Sequence, residues 1–386
     1  MIKTRKIIEF LLYIFTISSL LIPAGPVNKI VFIGIITLYG IQFMKNRKSK
    51  LPTLAPILIM AIYIYGYLKS FTSNSDGDLA FQFMVFAGML FLIYPILDNN
   101  INVDNLIKRA GLVLTFSTFL LYVLLVYEIN FIGSGTILKV FREYGLIAMG
   151  YRGFFGDQVL FVHFGSAPFL FLPGCLYFRD FYESREVKTI LLIALILIAM
   201  VLSTSRALVI GFILAVVVII INKKKGFQKI FSAYGIGLIS LIVLIFLIFN
   251  STIFDLDDFG NKIKIGDAKS FFQNVSVENL LIGDGLAAYY YAGGRGGYAS
   301  HTENTLLDTM RYFGLILTSF LYGLILMPTH KISKVARNRS SFYIFIIYLL
   351  MSLTNPILFN SLGGFVIIWY WSSVLKYKHY MLNITD

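Results

Sequence analysis

The chain has 386 residues, of which 58% are hydrophobic and 14% charged, and 33 Lys and Arg against 20 Asp and Glu give a net charge of +13. Soluble domains carry roughly a quarter of their residues as charged side chains, so this composition excludes a water-soluble fold. It indicates a polytopic membrane protein whose backbone polar groups are satisfied within helices.

The basic excess is not a nucleic-acid footprint. It falls in clusters at Lys3-Arg5-Lys6, Lys45-Arg47-Lys48-Lys50, Lys108-Arg109, Arg179-Arg185-Lys188, Lys223 to Lys229, Lys331 to Arg339 and Lys376-Lys378, which hold 22 of the 33 basic residues. The clusters lie between alternate pairs of apolar runs, as the positive-inside rule expects of cytoplasmic loops.

From the start of the chain, Lys3 to Lys6, an apolar run and Pro23-Ala24-Gly25 resemble a signal peptide, but the expectation is an uncleaved first helix. A span needs about 20 apolar residues. On that measure twelve are expected, over 7–22, 28–44, 51–68, 79–97, 106–127, 158–178, 189–203, 206–222, 230–249, 304–327, 340–354 and 358–375. The fold class is then an all-α polytopic membrane protein, a single integral membrane domain with both termini cytoplasmic. Two larger loops, 128–157 and 250–303, emerge on the outer side. No internal repeat, low-complexity tract or soluble domain interrupts it, and the second loop is expected to cap the bundle as short helices. Cys175 stands alone, which excludes an intramolecular disulfide and points to packing. Trp369 and Trp371 suggest an interfacial aromatic belt.

The apolar run from Thr189 to Asn222 would be about 51 Å long as one helix, against a hydrocarbon core of roughly 30 Å. Lysines flank both ends, so it must fold back, and Ser203-Thr204-Ser205-Arg206 is its polar place to turn. Arg206 is therefore expected near the outer headgroups. An arginine at such depth costs about 2.5–3.5 kcal/mol on insertion scales and is usually functional; the alternative is a snorkelling side chain that steadies the tip.

Arg142 and Arg152 belong to the first loop, and the segment from Tyr151 to Gln158 is expected to run directly into a helix, whose free N–H groups would receive an anion. In the second loop, Tyr289-Tyr290-Tyr291 offers rings for sugar stacking or an aromatic belt, and Gly293-Gly294-Arg295-Gly296-Gly297 suggests a mobile flap. His301-Thr302-Glu303-Asn304 then leads into a helix capped by Ser300 or Thr302. His301 and Glu303 are the candidate proton acceptors; His163, His330 and His379 look incidental. The acidic pairs Asp76/Asp78 and Asp255/Asp257 have the spacing of metal-dependent glycosyltransferases, but it is common by chance in outer loops. There is no G-x-x-x-x-G-K-[ST] or H-E-x-x-H motif.

Together these pieces resemble the O-antigen polymerase and ligase superfamily, most of all its Wzy-type polymerases. The resemblance covers roughly Arg142 to Leu326. Its pieces are Ser205-Arg206 between two short spans, Arg152-Gly153 after the first loop, Leu281-Ile282-Gly283-Asp284-Gly285, and His301 or Glu303 with Asn304 leading to Gly314-Leu315. Members often carry His directly before that Asn, where this chain has Glu303. An arginine often found early in the second loop has only Lys262, Lys264 and Lys269 as counterparts.

The resemblance implies a GT-C-like glycosyltransferase of the bacterial inner membrane, working at the periplasmic face in lipopolysaccharide or related polysaccharide biosynthesis. The implied donor is an undecaprenyl-diphosphate-linked oligosaccharide, with a chain-length regulator and a flippase as companions and no cofactor, metal or nucleic acid. Arg206, Arg152 and Arg295, with Arg142 and Arg311, would hold the departing diphosphate. His301 or Glu303 would deprotonate the acceptor hydroxyl; Tyr289, Tyr290, Tyr291 and Asn304 would contact sugar. Alternatives are the O-antigen ligase, a lipid-linked sugar flippase or transporter, and a metal-dependent transferase using the acidic pairs.

Overall fold

The computed structural model describes residues 2–23, 25–45, 53–127, 139, 147–154, 157–203, 206–223, 259–327, 336–353 and 355–382, and these described residues are about 80% helical. The first elements in chain order are α1 (Ile2–Leu21), α2 (Pro26–Lys45), α3 (Ala55–Ser70), α4 (Gly77–Met89), a 3-10 turn (Leu90–Leu92), α5 (Ile93–Asp98) and α6 (Val103–Tyr127). A hairpin of β1 (Ile147–Phe154) and β2 (Asp157–Phe164) follows, then a 3-10 turn (Ala167–Leu170), α7 (Phe171–Ser184), α8 (Val187–Leu202) and α9 (Arg206–Lys223). The rest comprises α10 (Phe259–Asn274), α11 (Val277–Ile282), β3 (Tyr290–Ala292), β4 (Gly297–Ala299), α12 (Thr305–Leu326), α13 (Ala336–Ser352) and α14 (Ser361–Leu382).

Among the described residues, 4 helical stretches are long and apolar enough to cross a membrane: Pro26–Lys45, Gly77–Asp98, Val103–Tyr127 and Thr305–Leu326. Shorter apolar helices include Ala55–Ser70, Val187–Leu202, Ala207–Asn222 and Arg339–Ser352. The expected span 230–249 lies outside the described residues. The chain forms two compact units, Met1–Leu38 with Asn102–Ile253, and Tyr39–Ile101 with Phe254–Asp386.

In the first unit α6 packs on α1, α7 and α8. Gly111 lets α6 approach Pro173, since a Cβ there would lie 2.4 Å from the proline ring. The charged ends of α6 and α7 are tied by Arg179 to Asp104 at 2.6 Å and Lys108 to Asp180 at 2.5 Å, with Arg179 only 1% exposed. Cys175 is buried, as packing requires. The helical run expected to fold back does break in the expected place: α8 ends at Leu202, α9 begins at Arg206, and the two helices pack together.

The expected span 158–178 is not one helix. Its first part is β2, paired antiparallel with β1, and only Phe171–Ser184 is α-helical. Along Phe161-Val162-His163-Phe164, burial alternates residue by residue, which is the period of a strand. Hydropathy summed over a window cannot register that period. Arg152 accordingly stands opposite Val159 within the ladder, and the expected helix start there is absent.

The second unit is organised by a broken helix. Gly314, inside α12, has φ 76° and ψ 170°, a region essentially reserved for glycine. The break leaves carbonyls without their intrahelical partners, and these are met from elsewhere. Asp284 N–H donates to the Arg311 carbonyl at 2.7 Å and Gly285 N–H to that of Tyr312 at 3.0 Å. Thr318 Oγ1 donates to the Thr309 carbonyl at 2.9 Å. Gly283, at φ 74°, faces Gly314 so closely that a Cβ on either would lie within about 2.6 Å of the other segment's backbone.

Trp369 and Trp371 are both fully buried, and the Trp371 indole donates to the Ile325 carbonyl at 2.8 Å. They are core residues of α14 and do not form the expected interfacial belt. Each supplies a large apolar surface, and Trp371 has found a buried partner for its one polar atom.

Candidate functional site

The site is built at the entrance to α12. Asn304 is the N-cap, its Oδ1 accepting from Leu307 N–H at 3.1 Å. This corrects the expected cap at Ser300 or Thr302; Thr302 Oγ1 instead accepts from Asn304 N–H at 3.2 Å. Four residues on, Asp308 turns back and accepts from Thr302 N–H at 2.6 Å. Arg311 Nη2 donates to Asp308 Oδ1 at 3.1 Å and to the Ser300 carbonyl at 2.8 Å, while Tyr312 Oη donates to the same carbonyl at 2.6 Å. Residues 300–302 are thus fastened to the first turns of α12.

Arg311 is 3% exposed, and among the described residues its Nε and Nη1 have no hydrogen-bond partner. Its guanidinium carbon lies 4.3 Å from the Tyr290 ring centroid and 4.7 Å from that of Tyr312. Aromatic faces offset part of the cost of burying a cation, and the Asp308 carboxylate supplies the neutralising charge. Donor capacity remains.

His301 is exposed as a residue. Partial desolvation is the main influence on its ring and holds its pKa below the ordinary histidine value; the Arg295 and Arg311 charges act the same way, against Asp308 and Asp76. The imidazole is therefore neutral at neutral pH and able to accept a proton. Glu303, the other candidate base, is paired with Lys264 at 3.1 Å.

Arg295 sits at the β3–β4 turn, its Nε 3.3 Å from Asp267 Oδ2. The expected mobile flap is pinned. Gly294 N–H donates to Asp267 Oδ1 at 3.1 Å and Gly293 N–H to Ser270 Oγ at 2.7 Å. Such an approach requires glycine, because a Cβ on Gly266 would come within 2.5 Å of Gly294 Cα. Burial raises the Asp267 pKa, with Arg295 opposing. Of the three tyrosines, Tyr290 is half-buried over Arg311, whereas Tyr289 and Tyr291 are exposed.

The structure therefore brings His301, Asn304, Arg311 and Tyr290 together, and ties Glu303 and Arg295 to α10. Asp76 is occupied as the N-cap of α4, accepting from Leu79 N–H at 3.0 Å. Arg142, Asp255 and Asp257 lie outside the described residues, as do the side chains of Arg152 and Arg206. Sequence reasoning missed Asp308 and Tyr312. The signal was present in Asp308, an acidic residue three positions from an arginine within an apolar helix. His163, expected to be incidental, has its Nδ1 3.1 Å from the Ser203 carbonyl, at the end of α8.

Chemically, the arrangement offers an exposed neutral base and aromatic faces beside an enclosed guanidinium whose charge acts on its surroundings. Comparison with protein-family models and with curated proteins finds no match to this chain.

Proposed function

We propose that the protein is a membrane glycosyltransferase that extends a surface polysaccharide at the outer face of the bacterial inner membrane. In this reading twelve spans in a GT-C-like arrangement leave both termini cytoplasmic. The donor is a glycan on undecaprenyl diphosphate and the acceptor is a hydroxyl of a second lipid-linked repeat unit. The acceptor oxygen bonds to the anomeric carbon, the bond from that carbon to phosphate oxygen breaks, and undecaprenyl diphosphate leaves with the electron pair. His301 takes the acceptor proton.

The observation that carries the reading is a base held neutral next to the residue whose carbonyl binds a buried arginine with unused donors. Fixed N–H groups aimed at developing charge lower a barrier more than they stabilise the ground state. Arg311 is therefore placed on the leaving diphosphate. Arg295 contributes to that field, while Arg142, Arg152 and Arg206 keep a diphosphate role on the resemblance alone. His301 is preferred to Glu303 because the Glu303 carboxylate is already engaged by Lys264. The test is purified protein with lipid-linked repeats and no ion gradient. Elongation supports the reading; unchanged substrate, with the same protein moving lipid-linked sugar across a bilayer, rejects it.

One observation favours that second reading. Discontinuous helices and buried ionisable pairs are common in transporters, and α12 has both, at Gly314 and at Asp308–Arg311. The pair lies within the first two turns of α12, however, nearer a span end than the bilayer midplane.

A further inference from the structure

The second outer segment divides its helices between two faces. On α10 the inward side carries Asp267, Ser270 and Phe271, all buried, and it holds the β3–β4 turn. The outward side shows Lys262, Ile265, Lys269 and Phe272, spaced three, four and three residues apart and all exposed. That spacing is one stripe of a helix. The stripe alternates cation with large apolar side chain. In α11 the exposure continues, with Val277 at 75%, Leu281 at 45% and Ile282 at 46%.

The depth of α11 explains why such side chains are left uncovered. Its C-terminal end meets α12 at the carbonyls of Arg311 and Tyr312, which lie about 9 Å along the axis beyond Thr305. The segment that follows it also meets α3, within that helix's last turn. Lys69 Nζ donates to the Ile282 carbonyl at 3.1 Å and to that of Gly283, and Leu286 N–H donates to the Gly66 carbonyl at 2.9 Å. Residues 281–286 therefore sit level with the last turn of α3 and about two turns along α12 from its start. If α3 and α12 cross the bilayer, that level falls in the headgroup and upper acyl region. Apolar side chains with lysines interspersed are the composition of an interfacial helix that holds anionic lipid.

We propose that α10 and α11 form an interfacial platform that binds anionic phospholipid headgroups beside the entrance to α12. Lys262 and Lys269 engage lipid phosphate, while Ile265, Phe272, Val277 and Leu281 enter the acyl boundary. The platform rests on the membrane assignment and does not depend on the transferase reading. It fixes the height of the β3–β4 hairpin and of His301 above the bilayer, because α10 carries the hairpin's anchors.

Spin labels at Ile265→Cys, Phe272→Cys and Leu281→Cys test this in the full chain, since Cys175 is buried and stays unlabelled. The protein is reconstituted in phosphatidylethanolamine bilayers with and without phosphatidylglycerol. The labels are expected to collide with oxygen several-fold more than with a water-soluble nickel chelate. Lys262→Glu with Lys269→Glu should lower that preference at position 272 when phosphatidylglycerol is present and leave it unchanged without it. Labels that meet nickel as freely as oxygen overturn the proposal. So do labels shielded from both, as a protein partner or second copy would shield them, and so does a charge reversal without effect. No glycan transfer enters the readout, so failure here is distinct from failure of the transferase reading.

Discussion

Asp308 and Arg311 stabilise each other by compensating charges that neither could bury alone. Removing one partner of a buried pair costs about 3–5 kcal/mol, whereas replacing both by apolar residues is often neutral. Arg311→Met is therefore expected to lower the thermal midpoint sharply, and adding Asp308→Leu should recover most of the loss; a denaturation series on the four proteins checks this. The double variant should still lack transfer activity if Arg311 serves the leaving group. At His301 the sign follows from its lowered pKa. The fold favours the neutral ring, so that contribution to stability is present above the ordinary value of about 6.5 and is lost as pH falls through the folded value. Transfer should likewise rise with pH through a point below about 6.5 and then level off, and His301→Gln should remove that limb of the pH–rate profile.

At the scale of elements, the second unit depends on glycines that face each other across a helix break. Gly314→Ala would bring a Cβ within 2.2 Å of the Leu281 carbonyl oxygen and force a non-glycine residue into a forbidden backbone region, a strain on the order of 1–3 kcal/mol before the clash is counted. Gly323, in the same helix, has nothing among the described residues within 4 Å of its Cβ position, so Gly323→Ala should be neutral or stabilise by up to about 1 kcal/mol. Thermal unfolding followed by circular dichroism separates the two. The hairpin is a smaller test of the same kind. Asp267→Ala removes the acceptor for both Gly294 N–H and Arg295, so amide exchange should quicken over residues 290–299 while α12 keeps its protection. Motif pieces that look unrelated along the chain, Gly283-Asp284-Gly285 and Gly314-Leu315, prove to be two halves of one contact. Their spacing carries no sign of it, because Gly283 and Gly314 are each required by backbone from the other segment and Gly285 by the end of α3.

For the whole molecule, the decisive expectation is that Arg206→Ala abolishes chain extension while protein remains at its usual level in the membrane. Retained long-chain product, seen on gels of extracted polysaccharide, would remove Arg206 from the mechanism. Reporter fusions within the two outer loops and at the α8–α9 turn should all report the outer side.

Composition and charge distribution by themselves determined a helical membrane protein, the apolar runs and the fold-back between α8 and α9, because bilayer thickness and the cost of burying charge act on any sequence alike. The entrance residues His301, Asn304 and Arg311 were legible as candidates, since polar groups beside an apolar helix need a reason. Their partners were not. Whether Arg311 is neutralised by Asp308, whether Arg152 opens a helix or lies in a strand, and whether the glycine-rich turn moves or is pinned depend on backbone brought close by tertiary packing. Those distances arise between residues far apart in the chain, where neither periodicity nor hydropathy carries information.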